Sequence, residues 1–313
     1  MNYRALPPIT KKQEEIIKLI FQFRFVNRRQ LQRFLNHKDA KRINTWLKDL
    51  VDKQYLGRIY SHRLLENTKP AIYYLNNNGI IWVRYKENIV FGVSEYGLDI
   101  KYLKKFYEDK NASQTFINHC IAIFEFYLQF KEHEREVNKG LVAERRKLKD
   151  YDEELDKILD YSVETKTEMW IEKQLHLYPH EDFNELKQYI PDLFFEKFKN
   201  LYEPEKMESS TFFLELFDPK VPKYGIKYRI KQYIKLKEEG KWKHSYTGMD
   251  GKFPTIILIF PNQQKLNLLS GYIQEQLERS YESEGLIFLL TTYQKAMTET
   301  LLAGSKIWKE IKE

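Results

Sequence analysis

Hydrophobic residues near the N-terminus recur at helical spacing in three successive segments. The first begins after Thr10, which suits an N-cap, and the second and third read RRQLQRFLN and AKRINTWLKDLVDKQYL. Asp39 precedes the third segment, and Gly57 is predicted to end it. Two alternating segments, RIYSHRLL and AIYYL, then predict a hairpin. Three short helices followed by a hairpin predict a winged-helix module.

Strands and helices alternate in the second half of the chain. Apolar runs predict strands over 168–178, 189–198, 211–217, 253–261 and 285–293, and helical spacing predicts helices over 113–133, 225–240 and 263–280. This order indicates an α/β sandwich around a mixed central sheet, the core of restriction-endonuclease-like PD-(D/E)xK nucleases.

The fold class that we expect is therefore α+β or α/β with two domains. A winged-helix domain covers residues 1–97, and a nuclease-like α/β domain covers residues 98–313. Within the second domain, residues 139–167 alternate in charge sign and are interpreted as an exposed insertion or linker.

Positive charge is concentrated in the N-terminal quarter of the chain. Residues 1–75 contain 16 Lys and Arg against 6 Asp and Glu, a net charge of +10, whereas the whole chain has +7, so the remainder sums to −3. A compact cationic surface suits a polyanion, and nucleic acid is the commonest polyanion in a cytoplasm.

The apolar content predicts a globular cytoplasmic protein. The runs TIILIF and GLIFLL are far shorter than the ~20 residues that span a bilayer, and the N-terminus lacks the apolar segment of a secretory signal. The single cysteine, Cys120, excludes an internal disulfide and a cysteine-rich zinc site. We expect a cytoplasmic location and no membrane partner.

Basic and amide side chains gather on the predicted third helix and on the hairpin. Lys and Arg neutralise phosphates, whereas Asn44 or Arg42 suits bidentate contacts to adenine or guanine. The candidate DNA-binding residues are Arg28, Arg29, Lys38, Lys41, Arg42, Asn44, Thr45, Lys48, Arg58, His62, Arg63 and Lys69. We expect residues 38–48 to enter the major groove and residues 58–69 to form a wing on the backbone or minor groove.

Glu215 is a carboxylate inside an apolar stretch, FFLELFD. Burying an unpaired charge costs several kcal/mol, so this carboxylate needs either a metal or a partner cation. Asp192 heads the preceding strand, and two carboxylates on adjacent strands suit a divalent metal that activates water for phosphodiester cleavage. The nuclease hypothesis uses Asp192, Glu215 and Lys231 for catalysis, and Asp192, Glu215 and Glu172 as ligands of Mg²⁺ or Mn²⁺.

The lysine of the nuclease pattern is missing from its usual place. Two residues after Glu215 the chain has Phe217, so a lysine from the following helix, Lys227 or Lys231, would have to replace it. In the alternative, the site is a vestige and the basic helix 225–237 neutralises Glu215. The basic residues available for this purpose are Lys227, Arg229, Lys231 and Lys235.

Six features along the chain form one set: the basic winged N-terminus, INHCIAIFEF, IPDLFFE, LELFD, a helix with RIKQY, and FPTIILIF. This set resembles the replication-relaxation proteins of Gram-positive plasmids and conjugative elements. The resemblance implies DNA binding linked to plasmid replication, relaxation or transfer, on a restriction-like fold. LELFD has one residue more than the LE-x-D pattern of the family, so the correspondence of Asp218 with the family aspartate stays open.

Three functions remain in competition at this point. The favoured one is a sequence-specific DNA-binding protein of a plasmid or other mobile element, acting in replication, relaxation or transfer, or in its transcriptional control. Such a protein would bind double-stranded DNA as a homodimer, with other replication or conjugation proteins as partners. The alternatives are a Mg²⁺- or Mn²⁺-dependent DNA endonuclease that uses Asp192 and Glu215, and a second domain that serves only oligomerisation or partner docking.

Overall fold

Two compact units make up the computed structural model of the chain. The structure describes residues 6–60, 69–90, 100–145, 165–171, 191–199, 207–240, 242, 252–280, 284–299 and 308–312. One unit contains the described residues up to Leu128, and the other contains those from Gln129 onward. The predicted domain boundary between residues 97 and 98 lies outside the described ranges.

The first unit opens with three helices and a small sheet. Its elements are α1 (Lys11–Phe23), β1 (Val26–Asn27), α2 (Arg28–Phe34), α3 (Ala40–Asp52), β2 (Leu56–Ile59) and β3 (Ile72–Leu75). The strands pair antiparallel in the order β1-β3-β2. The prediction of three short helices followed by two antiparallel strands is confirmed, and residues 61–68 of the predicted hairpin lie outside the described residues.

Side-chain caps fix where the three helices begin. Thr10 and Gln13 form a capping box at α1, and Asn27 and Gln30 form another at α2. Asp39 caps α3 by accepting hydrogen bonds from backbone N–H groups of its first turn. The position of α3 along the chain is therefore set by the local sequence.

Gly57 lies in β2, and α3 ends earlier than predicted, at Asp52 with Lys53 as its C-cap. A Cβ atom added at Gly57 would lie 2.2 Å from Cζ of Tyr74 in β3. The glycine permits close packing of β2 against the Tyr74 ring. The prediction that Gly57 ends the third helix is therefore wrong.

Further helices complete the first unit and lead into the second. They are α4 (Asn77–Val90), α5 (Ile100–Tyr107) and α6 (Gln114–Arg145), with a short 3₁₀ turn over Asp109–Asn111. The Arg24 guanidinium donates hydrogen bonds to the buried Asp109 carboxylate and lies 4.6 Å from the ring centroid of Phe116. Although α6 has 32 residues, neither it nor any other helix of the described part is long and apolar enough to cross a membrane.

A six-stranded mixed sheet forms the second unit. Its elements are β4 (Thr165–Ile171), β5 (Leu193–Lys199), β6 (Glu208–Leu216), α7 (Lys223–Glu239), β7 (Thr255–Phe260), α8 (Gln263–Arg279), β8 (Ile287–Thr292), α9 (Tyr293–Thr298) and β9 (Lys309–Lys312). The sheet order is β4-β5-β6-β7-β8-β9, with β6, β7 and β8 parallel and the other pairs antiparallel. The predicted mixed sheet is confirmed, whereas α9 and β9 were not predicted.

Aromatic side chains fill the layer between β6 and its neighbours. Phe213 stacks on Tyr233 of α7 with ring centroids 5.6 Å apart, and Phe217 lies 5.5 Å from the ring of Phe260 in β7. Side chains two residues apart on a strand share a face. Glu215 therefore points into the same packed layer as these two phenylalanines.

Candidate functional site

One side of α3 is basic and exposed to solvent. Ile43, Leu47 and Leu50 of α3 are fully buried in the first unit, which orients the opposite side outward. The exposed candidate residues on α3, or just before it, are Lys38, Lys41, Arg42, Asn44, Thr45 and Lys48. We call these six residues the α3 basic face. Arg42 lies over the ring of Trp46 at 5.6 Å, a contact that restrains the guanidinium.

Two further candidate DNA-binding residues, Arg28 and Arg58, lie close to Tyr73. Tyr73 in β3 pairs directly with Arg58 of β2. Burial raises the pKa of Tyr73, and the positive charges of Arg58 and Arg28 oppose that rise. The start of α2 and the strand β2 therefore present two arginines in the same region of the first unit.

Four candidate DNA-binding residues remain. Arg29 and Lys69 are exposed. His62 and Arg63 lie outside the described residues.

Glu215 is 6% exposed and has two partners on α7. Its carboxylate accepts a hydrogen bond from Nε of Arg229 at 2.6 Å and another from the hydroxyl of Tyr233. A second guanidinium nitrogen of Arg229 completes the ion pair. Among the basic residues of helix 225–237, Arg229 is thus the one that neutralises Glu215.

Asp192 lies at the start of β5, next to Glu215. One of its carboxylate oxygens accepts a hydrogen bond from the backbone N–H of Leu216 at 2.8 Å. Burial, together with the negative charge of Asp192, raises the pKa of Glu215 to about 7, while Arg229 and Tyr233 act in the opposite direction. The structure therefore brings the two candidate carboxylates together.

The surroundings of Glu215 do not fit a divalent metal. Arg229 already supplies a permanent positive charge to the carboxylate, and a second cation there would be repelled. Within the described ranges, no group of three His, Cys, Asp or Glu side chains could hold a metal ion. Lys231 is exposed on α7, and Glu172 lies outside the described residues.

Tyr233 is a site residue that the sequence reasoning missed. It is buried, and it contacts Glu215 and Phe213 at once. Its position four residues after Arg229 was the available signal, because residues four apart lie on the same side of a helix.

The α3 basic face, Asp192 and Glu215 all lie in the part of the chain that matches a known protein family. The model of a family described as Replication-relaxation matches residues 17–255, more than half of the chain. The chain belongs to the replication-relaxation family. Membership of this family points to a role in the replication or relaxation of plasmid or other mobile-element DNA. Searches of curated proteins and of solved structures find no match.

Proposed function

We propose that this replication-relaxation protein binds double-stranded DNA sequence-specifically through a winged-helix module in its first unit. The observation that supports this function is the α3 basic face. It is exposed because α3 packs against the first unit with its opposite, apolar side. The element order and the small antiparallel sheet agree with the same module.

Different residues of the α3 basic face take different roles in this proposal. Arg42 and Asn44 contact base edges in the major groove, because their side chains match guanine and adenine bidentately. Lys41 and Lys48 contact phosphates, which adds affinity without sequence preference. Arg28 and Arg58 bind the backbone beside the groove.

In this proposal, Asp192 and Glu215 of the second unit have a structural role. A metal bound by these two carboxylates would lie close to the Arg229 guanidinium, which already pairs with Glu215, and the two cations would repel each other. One oxygen of Asp192 also accepts a hydrogen bond from the Leu216 amide. We therefore propose DNA binding without cleavage as the activity of the chain, in a plasmid or other mobile element.

Salt dependence tests the electrostatic part of the proposal. With six to ten phosphate contacts, the affinity for duplex DNA should fall by roughly 10³–10⁵ between about 50 and 200 mM salt. Fluorescence anisotropy with a labelled duplex measures this slope. A flat response would remove the proposal.

Single substitutions then test the division of roles, once a preferred site has been selected from a random duplex library. Arg42→Ala should weaken binding to that site more than binding to random DNA, by about 1–3 kcal/mol. Lys48→Ala should weaken both alike and reduce the salt slope by about one. The exposed Lys252 lies in the second unit, and Lys252→Ala is the matched control. Equal losses of specificity in the Arg42 and Lys48 variants would contradict the assigned roles.

A further inference from the structure

The outward side of α7 combines lysines and tyrosines in two adjacent rows. Lys223, Lys227, Lys231 and Lys235 follow one another at intervals of four residues, and all are exposed. Tyr224 and Tyr228 form a neighbouring row and are 77% and 64% exposed. We call these six residues the α7 outer face.

This arrangement works against the stability of an isolated helix. Like charges four residues apart repel each other. Lys223 is the first residue of α7, where the helix dipole disfavours a cation, and the first turn contains no acidic residue to compensate. The chain therefore maintains on α7 a concentration of positive charge that folding alone does not require.

Within the part of the chain that the structure describes, one ion pair involves a lysine of the α7 outer face. The helix has no acidic residue before Glu238. Lys235 pairs with Glu239 at 3.4 Å, and Lys227 lies 4.4 Å from the ring centroid of Tyr272 on α8. Lys223 and Lys231 form no ion pair with any residue in the described ranges. Most of the positive charge thus remains available to a ligand.

The helix is held firmly beneath this face. Arg229 and Tyr233 tie its inner side to Glu215 of β6. Lys265 of α8 donates hydrogen bonds to the backbone carbonyls of Pro219 and Val221, at 2.8 and 2.9 Å, in the loop before α7. The outer side chains therefore project from a fixed support.

We propose that the α7 outer face binds single-stranded DNA. Lysines track a phosphate backbone, and exposed aromatic rings stack on bases that have no partner strand. Tyr224 and Tyr228 are one turn apart, about 6 Å along the axis, so both rings face the same ligand. In duplex DNA the bases already stack on one another, which leaves the two tyrosines nothing to stack on.

This site is separate from the duplex interface proposed for the first unit and does not rest on it. Two large aromatic rings exposed one turn apart form a contiguous apolar surface, and such surfaces mark interaction sites. A single strand is the ligand that matches both the charge and the rings. An acidic protein would match the lysines alone.

Replacing the two tyrosines tests the site most directly. The measurement uses the full chain and a labelled oligo(dT) of about 20 nucleotides, because single-strand binding domains cover about 4–16 nucleotides each. Joint replacement Tyr224→Ala and Tyr228→Ala should weaken binding about tenfold or more, because each stacked base contributes about fivefold or more and two are lost. Tyr224→Phe with Tyr228→Phe should retain binding, since phenylalanine also stacks. Tyr107→Ala, at another exposed tyrosine, is the matched control. An unchanged affinity in the alanine pair, or an equal loss in the phenylalanine pair, would overturn the proposal.

The lysines are tested with variants of equal net charge. Lys223→Glu with Lys231→Glu should reduce the salt slope for oligo(dT) by more than one, whereas Lys252→Glu with Lys295→Glu should leave it almost unchanged. Lys252 and Lys295 are exposed residues of the same unit. Equal effects of the two pairs would show that only total charge matters and would overturn the site.

Competition separates this site from the duplex interface. Lys41→Ala with Arg42→Ala should abolish specific duplex binding and leave oligo(dT) binding intact. If unlabelled duplex displaced oligo(dT) from this variant as well as single strands did, the α7 outer face would be a duplex site and the proposal would fail. Binding to phosphatidylserine vesicles that required Tyr224 and Tyr228, with oligo(dT) binding unaffected, would assign the face to a membrane surface and would overturn it too.

Discussion

Glu215 carries a charge in a place where its neighbours on the strand are apolar. The ion pair with Arg229 and the hydroxyl of Tyr233 satisfy that charge, so the carboxylate connects β6 to α7. A buried ion pair contributes little net stability compared with apolar packing, but it tolerates only one geometry. The pair forms only when α7 turns Arg229 and Tyr233 toward β6, in the same rotation that buries Ile226 and Ile230.

The raised pKa of Glu215 gives a stability change with a definite sign. The folded-state pKa of about 7 lies above the ordinary value of 4.5, so between these values the folded chain holds a proton that the unfolded chain has released. The proton bound to Glu215 stabilises the fold most below pH 4.5, and this stabilisation is lost as the pH rises through 7. From pH 5 to 8, the free energy of unfolding of the wild type should fall on the order of 2 kcal/mol relative to Glu215→Gln.

Urea unfolding of both proteins at several pH values measures this difference. Glu208→Gln, at an exposed position of the same strand, is the matched control and should follow the wild type. If the free energy of unfolding changed with pH in the same way in the wild type and in Glu215→Gln, the pKa of Glu215 would be the same in the folded and unfolded chains, which would contradict this prediction.

Sequence alone located Glu215 but did not identify its partner. The apolar neighbours marked the carboxylate as buried, and this prediction is confirmed. Four basic residues of the next helix were equivalent candidates, because only the rotation of α7 brings Arg229 inward and leaves Lys227, Lys231 and Lys235 outside. The apolar residues of α7, buried at helical spacing, indicate that rotation, but a prediction made from the basic residues alone did not use it.

At the level of helices and strands, the apolar pattern predicted most of the elements. α1 and α3 follow directly from buried positions at helical spacing and from the caps Thr10 and Asp39. β9 was missed because KEIK contains only one buried side chain, Ile311, and becomes a strand by pairing with β8. Gly57 was misassigned because a glycine marks a helix end in one context and a close contact in another.

Three glycines should respond differently to replacement by alanine, because different atoms surround them. At Gly79 of α4, an added Cβ would lie 2.3 Å from the backbone oxygen of Tyr55, which cannot rotate away, so Gly79→Ala should destabilise by about 1–3 kcal/mol. Gly57→Ala should cost less, since it meets the end of the Tyr74 side chain. Gly271→Ala, in α8 with nothing within 4 Å, should stabilise by about 0.5–1 kcal/mol.

Urea midpoints of the three variants check this order. Gly271→Ala also serves as the control for the general effect of removing a glycine from a helix. A Gly79→Ala variant as stable as the wild type would mean that α4 and Tyr55 are not in close contact.

For the chain as a whole, each of the two units carries one exposed basic surface. The first unit carries the α3 basic face, and the second carries the α7 outer face, on the helix whose Arg229 pairs with Glu215. The family match spans elements of both units. In our proposals the two nucleic-acid surfaces act on different forms of DNA, which suits a protein that meets both duplex and opened strands.

The ion pair between Glu215 and Arg229 predicts the response of the whole chain to metal ions. Supercoiled plasmid incubated with the wild type and Mn²⁺ should stay intact, because Arg229 and Tyr233 hold the carboxylate that a metal would need. Agarose gels with and without a chelator measure nicking. Asp192→Asn is the control: chelator-sensitive nicking by the wild type that is lost in this variant would establish the endonuclease hypothesis instead.

The strand β9 has a consequence for the solubility of the folded chain. It covers the outer edge of β8 by antiparallel pairing, and three of its four residues, Lys309, Glu310 and Lys312, are exposed and charged. A sheet edge made of apolar residues attracts strands of other molecules, whereas alternating charges discourage such growth. The four residues of β9 therefore protect the edge of the apolar strand β8 from pairing with strands of other molecules.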